Sequence, residues 1–273
     1  MSAPFEVTFW GVRGSIPCSG PATARYGGNS SCVEMRCGDR RLVFDAGSGI
    51  RQLAATMTGP QEFDLLFSHF HYDHVIGLPF CAPLYRPHTR CRLWGGRTGM
   101  ETGVRQVLSD FMAAPLFPLR LDFFAGNLSF HDFRPGESID LGDGIRLQTA
   151  ALNHQDGATG YRVEFAGRAA CYVTDTEQPE GRLDPGILRL IDGADLFIYD
   201  CTYTDEEYPA HKGWSHSTWQ EGMRLADAAG VGTFAIFHHD PGHDDDFMDG
   251  VAAQAEQARP GTIVSRDGMS LML

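Results

Sequence analysis

The sequence predicts a single α/β domain, and three observations carry that prediction. A chain of 273 residues with 42% hydrophobic content can bury a substantial core, and its 21% of charged residues is an ordinary globular share. Short apolar runs rich in β-branched and aromatic residues recur along the whole length. Amphipathic helical patterns are interspersed among them, which is the mixture expected of α/β layers.

Strands are expected at 6–10, 41–44, 65–67, 145–149, 160–165, 169–173, 196–199, 233–237 and 262–265. Each is bounded by Gly, Asp, Asn or Pro, residues that favour turns over continued extension. Helices are expected at 50–58, 102–112, 185–190, 218–229 and 245–258. Thr218 and Glu221 have the spacing of a capping box, and Gly230 is a natural C-terminal stop. The segment 78–121 is the odd part, with Pro79, Pro83, Pro87, Pro115, Pro118 and several aromatics. It is too apolar for a free linker. It reads as an insertion within one domain spanning 1–273 that covers a site or forms a contact surface, a homodimer interface being one use.

The formal net charge of −13 disfavours long nucleic acid, because an acidic surface repels polyanions. A small anionic substrate is compatible with that charge if bound cations dominate their own site. No stretch approaches the roughly 18–20 apolar residues that a membrane span needs. The start lacks a basic segment followed by an apolar one, so no signal peptide is expected. The seven cysteines, Cys18, Cys32, Cys37, Cys81, Cys91, Cys171 and Cys201, are odd in number, irregularly spaced and without a Cys-x-x-Cys. They read as reduced residues of a cytoplasmic protein.

The chemistry concentrates after the strand at 65–67, in Ser68-His69-Phe70-His71-Tyr72-Asp73-His74. His69 and His71 alternate, so in extended backbone they point the same way. Asp73 and His74 then turn off differently. One metal cannot easily take four ligands packed so tightly, but two adjacent metals can share them. Imidazole with carboxylate suits zinc, with manganese or iron as alternatives. Further ligands must come from rigid positions elsewhere. His154, Asp175 and His238 each follow an expected strand.

On these residues the chain resembles the metallo-β-lactamase superfamily of hydrolases over almost its whole length. The resemblance implies an αββα four-layer sandwich and a two-metal site. It assigns His69, His71 and His154 to one metal, and Asp73, His74 and His238 to the other, with Asp175 bridging. His239 is a neighbouring alternative to His238, which is preferred because the family's last ligand directly ends its strand. Asp45, in Asp45-Ala46-Gly47-Ser48-Gly49, resembles the loop beneath the metals and is expected to support a ligand.

Two further features resemble the family's phosphodiesterase branch, which includes ribonuclease Z. Asp200 ends an expected strand, and His216-Ser217-Thr218 precedes an expected helix. By that resemblance His216 contacts the phosphate or protonates the leaving alkoxide, and Asp200 orients it. With Asp73 they make the candidate catalytic set. The segments from Trp10 to Pro17 and from Tyr26 to Cys32 resemble a class II cyclic-nucleotide-phosphodiesterase-like group, with Ser15 and Asn29 offering hydrogen bonds and Arg13 a cation. The expected substrate is a small or cyclic phosphodiester, a cyclic nucleotide among them. Thioester, lactone or β-lactam hydrolysis is the main alternative. Ribonuclease Z activity is disfavoured, since only twenty residues separate His154 from Asp175, too few for a tRNA-gripping arm. A non-catalytic sensor should have lost ligands, and a di-iron redox protein typically carries Glu where His71 sits. His211-Lys212-Gly213-Trp214, just before His216, reads either as a substrate-facing loop with Trp214 stacking on a base or as a surface loop. His88 and His131 read as loop residues, and His243 with Asp244–Asp246 as an acidic helix start.

Overall fold

The computed structural model describes residues 3–97 and 102–273; residues 1–2, and 98–101 within the 78–121 segment, lie outside it. The first half runs β1 (Phe5–Gly11), β2 (Cys32–Cys37), β3 (Arg40–Phe44), α1 (Ile50–Thr56), β4 (Glu62–Phe67), α2 (Tyr72–Val75), β5 (Arg90–Gly96), α3 (Val104–Phe111) and β6 (Asn127–Phe133). The second half begins with β7 (Ser138–Gly142), β8 (Ile145–Leu152), β9 (Ala158–Phe165), β10 (Arg168–Val173), α4 (Pro185–Ile191) and β11 (Leu196–Asp200). It continues with α5 (Tyr208–His211), α6 (Trp219–Ala228), β12 (Thr233–Phe237), α7 (Asp245–Ala258), β13 (Ile263–Val264) and β14 (Ser270–Met272).

The strands form two seven-stranded sheets, ordered β14-β1-β2-β3-β4-β5-β6 and β13-β12-β11-β10-β9-β8-β7. Between them lies one apolar layer that includes Phe9, Phe44, Tyr161, Tyr172 and Phe237. A second layer packs Ile50 and Leu53 of α1 and Val104 and Leu108 of α3 on the outer face of the first sheet. A third packs Ile187 of α4, Leu225 of α6 and Val251 of α7 on the outer face of the second. The result is helix, sheet, sheet, helix, the four-layer sandwich expected. Helix starts are fixed locally: Thr218 Oγ1 accepts from the Glu221 amide at 3.0 Å, and Asp244 accepts from the Phe247 amide at 2.9 Å. The Glu221 carboxylate pairs with Arg224. Gly230 closes α6 at φ 63°.

Every expected strand and helix lies within or overlaps an observed element. The elements that sequence reading passed over alternate charged with apolar residues. Cys32-Val33-Glu34-Met35-Arg36-Cys37 forms β2, and Arg90-Cys91-Arg92-Leu93-Trp94 opens β5. Such strands bury one face and pair charges on the other, as Arg92 does with Asp64 at 2.6 Å. The segment 78–121 therefore supplies β5, which lies between β4 and β6 in the first sheet, and α3 against it.

Pairs β3–β4 and β10–β11–β12 are parallel, so their carboxyl ends lie along common edges. Ligands in open α/β sheets characteristically bind beyond those ends. β3 leads into Asp45, β4 into Ser68–His74, β8 into His154, β10 into Asp175, and β12 into His238, while β11 ends in Asp200. Among the described residues no helix is long and apolar enough to cross a membrane.

Candidate metal centre and active site

The strand ends converge. His69, His71 and His154 bring ligand atoms within 4.8 Å of one another, and so do Asp73, His74, Asp175 and His238. Asp175 faces both groups. Its Oδ2 lies 3.7 Å from Nε2 of His69 and of His154, and its Oδ1 lies 3.2 Å from Nε2 of His74 and of His238. Asp73 Oδ2 is 3.1 Å from His74 Nε2 and 3.3 Å from His238 Nε2. The His69–His71 alternation and the short α2 turn separate these neighbours: two imidazoles point one way, and Asp73 with His74 point the other.

The backbone is strained where it delivers ligands. Asp45, Asp175 and His238 have φ of 61°, 56° and 64°. For a non-glycine residue this region is sparsely populated, and for His238 it costs on the order of 1–3 kcal/mol. The surrounding strands must hold it there. Gly14 shows how closely: a Cβ on it would sit 2.4 Å from the His238 ring.

Outer partners orient the imidazoles. Asp45 Oδ2 accepts from His74 Nδ1 at 2.8 Å and from the Tyr172 hydroxyl at 2.8 Å, and its two oxygens take the Ser68 amide and hydroxyl at 2.7 Å. His154 Nδ1 donates to the Ser215 carbonyl at 3.0 Å. Thr202 Oγ1 lies 2.9 Å from His238 Nδ1 and donates to Asp200 Oδ1 at 2.7 Å. The Ser15 amide donates to Asp73 Oδ2 at 2.8 Å.

These contacts make a test of fit for a cation. His74 Nδ1–H is committed to Asp45, so a neutral His74 turns an Nε2 lone pair toward two carboxylates. His74 Nε2, and His69 Nε2 likewise, is buried without a hydrogen-bond partner. A lone pair about 3 Å from anionic oxygen is repulsive unless a positive charge lies between them. Burial opposes charge on His74, yet Asp73, Asp175 and Asp45 outweigh it and hold its pKa well above the usual value. Burial would raise the Asp73 carboxyl, yet His74 and His238 hold it well below the usual range. Both groups have the donor set and charge demand of divalent metal sites.

His216 stands beside the second group. Its Nδ1 is 2.9 Å from Asp200 Oδ2, its ring centroid is 5.0 Å from that of His238, and its side chain is 13% exposed. Burial disfavours its charged form, but Asp200 outweighs that and pushes its pKa up to about 9. His216, His71, Asp73, Asp175 and Ser15 line a cavity of about 590 Å³. A larger cavity of about 690 Å³ is lined by Glu177, Arg182, Tyr208 and Arg224 and by none of the clustered ligands, so it is not where their chemistry would occur.

His239 points elsewhere, its Nε2 donating to the Ser265 carbonyl at 2.9 Å, with burial pushing its pKa down to about 3. Two expectations are corrected. Arg13 is fully buried and turned from the cavity, donating to the carbonyls of Gly27, Asp240 and His243. Asn29 is tied to Asp267 and Ser48. Both brace the loops around Ser15 and do not line the cavity. Sequence reading missed Thr202, Ser215, Ser68 and Tyr172 as orienting groups; only their place beside strand ends hinted at them.

A two-layer sheet sandwich with paired His/Asp clusters beyond its strand ends defines a class of metal-binding hydrolase folds. The family match agrees with it: residues 40–239 match the beta-lactamase superfamily domain, and the chain belongs to that family. It is 24% identical to a ribonuclease Z of Gemmatimonas aurantiaca, across 99% of this chain and 96% of the relative. It is 25% identical to a ribonuclease Z of Haloferax volcanii, across 85% and 84%. In structure it is similar to a diphosphatase of the PhnP family, with TM-score 0.74 and 17% identity over 100% of this chain and 98% of that one. The metallo-beta-lactamase fold protein YhfI of Bacillus subtilis gives TM-score 0.72 and 15% identity over 99% and 100%.

Proposed function

We propose that this protein is a metal-dependent phosphoester hydrolase acting on a small phosphodiester. The observation that carries the reading is the Asp200–His216 pair set directly against a double His/Asp cluster. His69, His71 and His154 would hold one divalent cation and Asp73, His74 and His238 the other, with Asp175 shared. Zinc suits imidazole with carboxylate, and manganese or iron also accept such donors. Bound there, the cations would supply Lewis acidity toward phosphoryl oxygens and lower the pKa of water at the site.

The protein's own groups complete the chemistry. Asp200 fixes the His216 ring through Nδ1, leaving Nε2 free for the substrate. A proton on Nε2 neutralises the alkoxide that leaves phosphorus, as a general acid should. Thr202 ties the same carboxylate to His238, so proton donor and ligand are held in one register. The ribonuclease Z relatives and the PhnP-family diphosphatase support phosphoester chemistry. Between His154 and Asp175 stand only β9, a turn and β10, which favours a small diester over tRNA. The unpaired cysteines suit a reducing compartment, the cytoplasm.

The test is metal analysis with turnover of bis-p-nitrophenyl phosphate. Two metals per chain are expected, and His216→Ala should keep both while lowering kcat by about 10²–10⁴-fold. Lactone or thioester hydrolysis without diester hydrolysis would overturn the reading in favour of acyl chemistry.

A further inference from the structure

The 590 Å³ cavity has two unlike walls. One is the polar wall described above. The other is apolar, built from Phe70, Tyr72, Val75, Val107, Phe111 and Leu116. Among the described residues the one charged side chain beside this second wall is Asp110, and no lysine or arginine lines the cavity.

This wall is more than the fringe of a core. α3 commits Val104 and Leu108 to the core, while Val107 and Phe111, one turn apart, are half-buried at the cavity, with Phe111 also packing on that core. Tyr72 and Leu116 are 61% and 63% exposed. The Tyr72 and Phe111 rings meet edge-on, with centroids 6.2 Å apart. Apolar surface left in water at the mouth of a polar site is unfavourable by roughly 25 cal/mol per Å² until something apolar covers it.

We propose that this wall is the subsite for the second ester group of the substrate, and that it selects a planar aromatic group. The inference rests on the phosphoesterase reading. A nucleic-acid strand would bring further phosphates to a cavity whose described lining holds no lysine or arginine, only the His71 and His216 imidazoles at the polar wall, with a carboxylate at Asp110, on a chain of net charge −13. An aromatic ester brings a single charge to the polar wall and packs its ring on Phe111 and Tyr72. The cavity volume falls in the range of small-molecule sites.

The experiment uses metal-loaded protein and diesters that share p-nitrophenolate as leaving group and differ only in the retained ester: methyl or phenyl. In each, water adds to phosphorus, the same P–O bond breaks, and p-nitrophenol and a monoester result. The phenyl ester should exceed the methyl ester in kcat/KM by about tenfold or more. Phe111→Ala should collapse that ratio toward one, lowering kcat/KM for the phenyl ester more than for the methyl ester. Leu116→Ser, at an exposed position, should lower the ratio without disturbing the core. Equal wild-type rates, or a ratio unmoved by both substitutions, would overturn the proposal. So would a short single-stranded RNA turned over faster than the phenyl ester. A dimer that Leu116→Ser converts to monomer with the ratio unchanged would assign the wall to a second copy instead. If the wild type cleaves no diester, the phosphoesterase reading fails by itself. Calorimetry with phenylphosphonate and methylphosphonate then reads the subsite alone, and equal affinities would overturn it.

Discussion

The two candidate metal groups both face Asp175 but differ in burial, charge and support. Asp73, His74, Asp175 and His238 have side-chain exposures of 7% or less. His71, in the other group, is 42% exposed. The buried group sets two carboxylates against two imidazoles; the open group gathers three imidazoles, of which His69 and His154 lie 3.7 Å from one oxygen of Asp175. Asp45, Thr202 and the Ser15 amide brace the buried group; in the open group Ser68 and the Ser215 carbonyl hold His69 and His154, whereas His71 has only His154 Nε2 at 3.1 Å from Nδ1 and the exposed Asp156 at 3.8 Å from Nε2. An anionic, braced, buried group would hold a cation tightly, and an open, nearly neutral group would release one more readily.

The substitution that erases this difference is Asp175→Ala, and it should have the largest effect. Both groups lose a shared oxygen donor, so metal content should fall below one per chain and diester turnover should vanish. Retention of one tightly held metal would mean that Asp175 does not bridge. Asp45→Asn separates the groups instead. Removing an outer partner of a ligand typically costs about 10–100-fold in metal affinity. That loss should fall on one of the two metals, resolved by competitive chelator titration. An equal loss at both would show that the groups are not independent.

The buried group was only partly legible in the sequence, and the reason is distance along the chain. His69–His74 stands in one loop, so its chemistry is visible without a fold. His154, Asp175 and His238 are visible as strand-end residues, but grouping them took the family resemblance. The Tyr172 hydroxyl reaches Asp45 across 127 positions, and no local pattern encodes that bond. Arg13 misled because a cation beside glycines suggests an anion site. In the fold it is buried, with Gly14 lying close against His238 and the Arg13 guanidinium donating to the Gly27 and His243 carbonyls. The layers were clear where strands are uniformly apolar. They were hidden in β2 and β5, where buried and charged positions alternate.

Zinc titration of apo protein sharpens the contrast on the stability scale. A ligand at 100 times its Kd stabilises the native state by about 2.7 kcal/mol. A divalent cation in the buried group would also offset the mutual repulsion of the Asp73 and Asp175 carboxylates, which face each other across His74 and His238. The first equivalent of zinc should therefore raise Tm more than the second. Equal steps in a differential scanning calorimetry series would argue against the difference in charge demand.

The smallest effect on folding belongs to His71→Ala. The side chain is 42% exposed, so its loss should change apo stability by no more than about 0.5 kcal/mol in urea melts. Its imidazole is nevertheless one of only three in the open group, and His69 and His154 cannot replace its donor. Affinity for one metal should drop while the other stays bound through dialysis. The same variant should lose diester turnover, because water activation and charge stabilisation would both draw on two bound cations. A variant that keeps full turnover with one metal would move the chemistry wholly into the buried group and leave the open one a structural accessory.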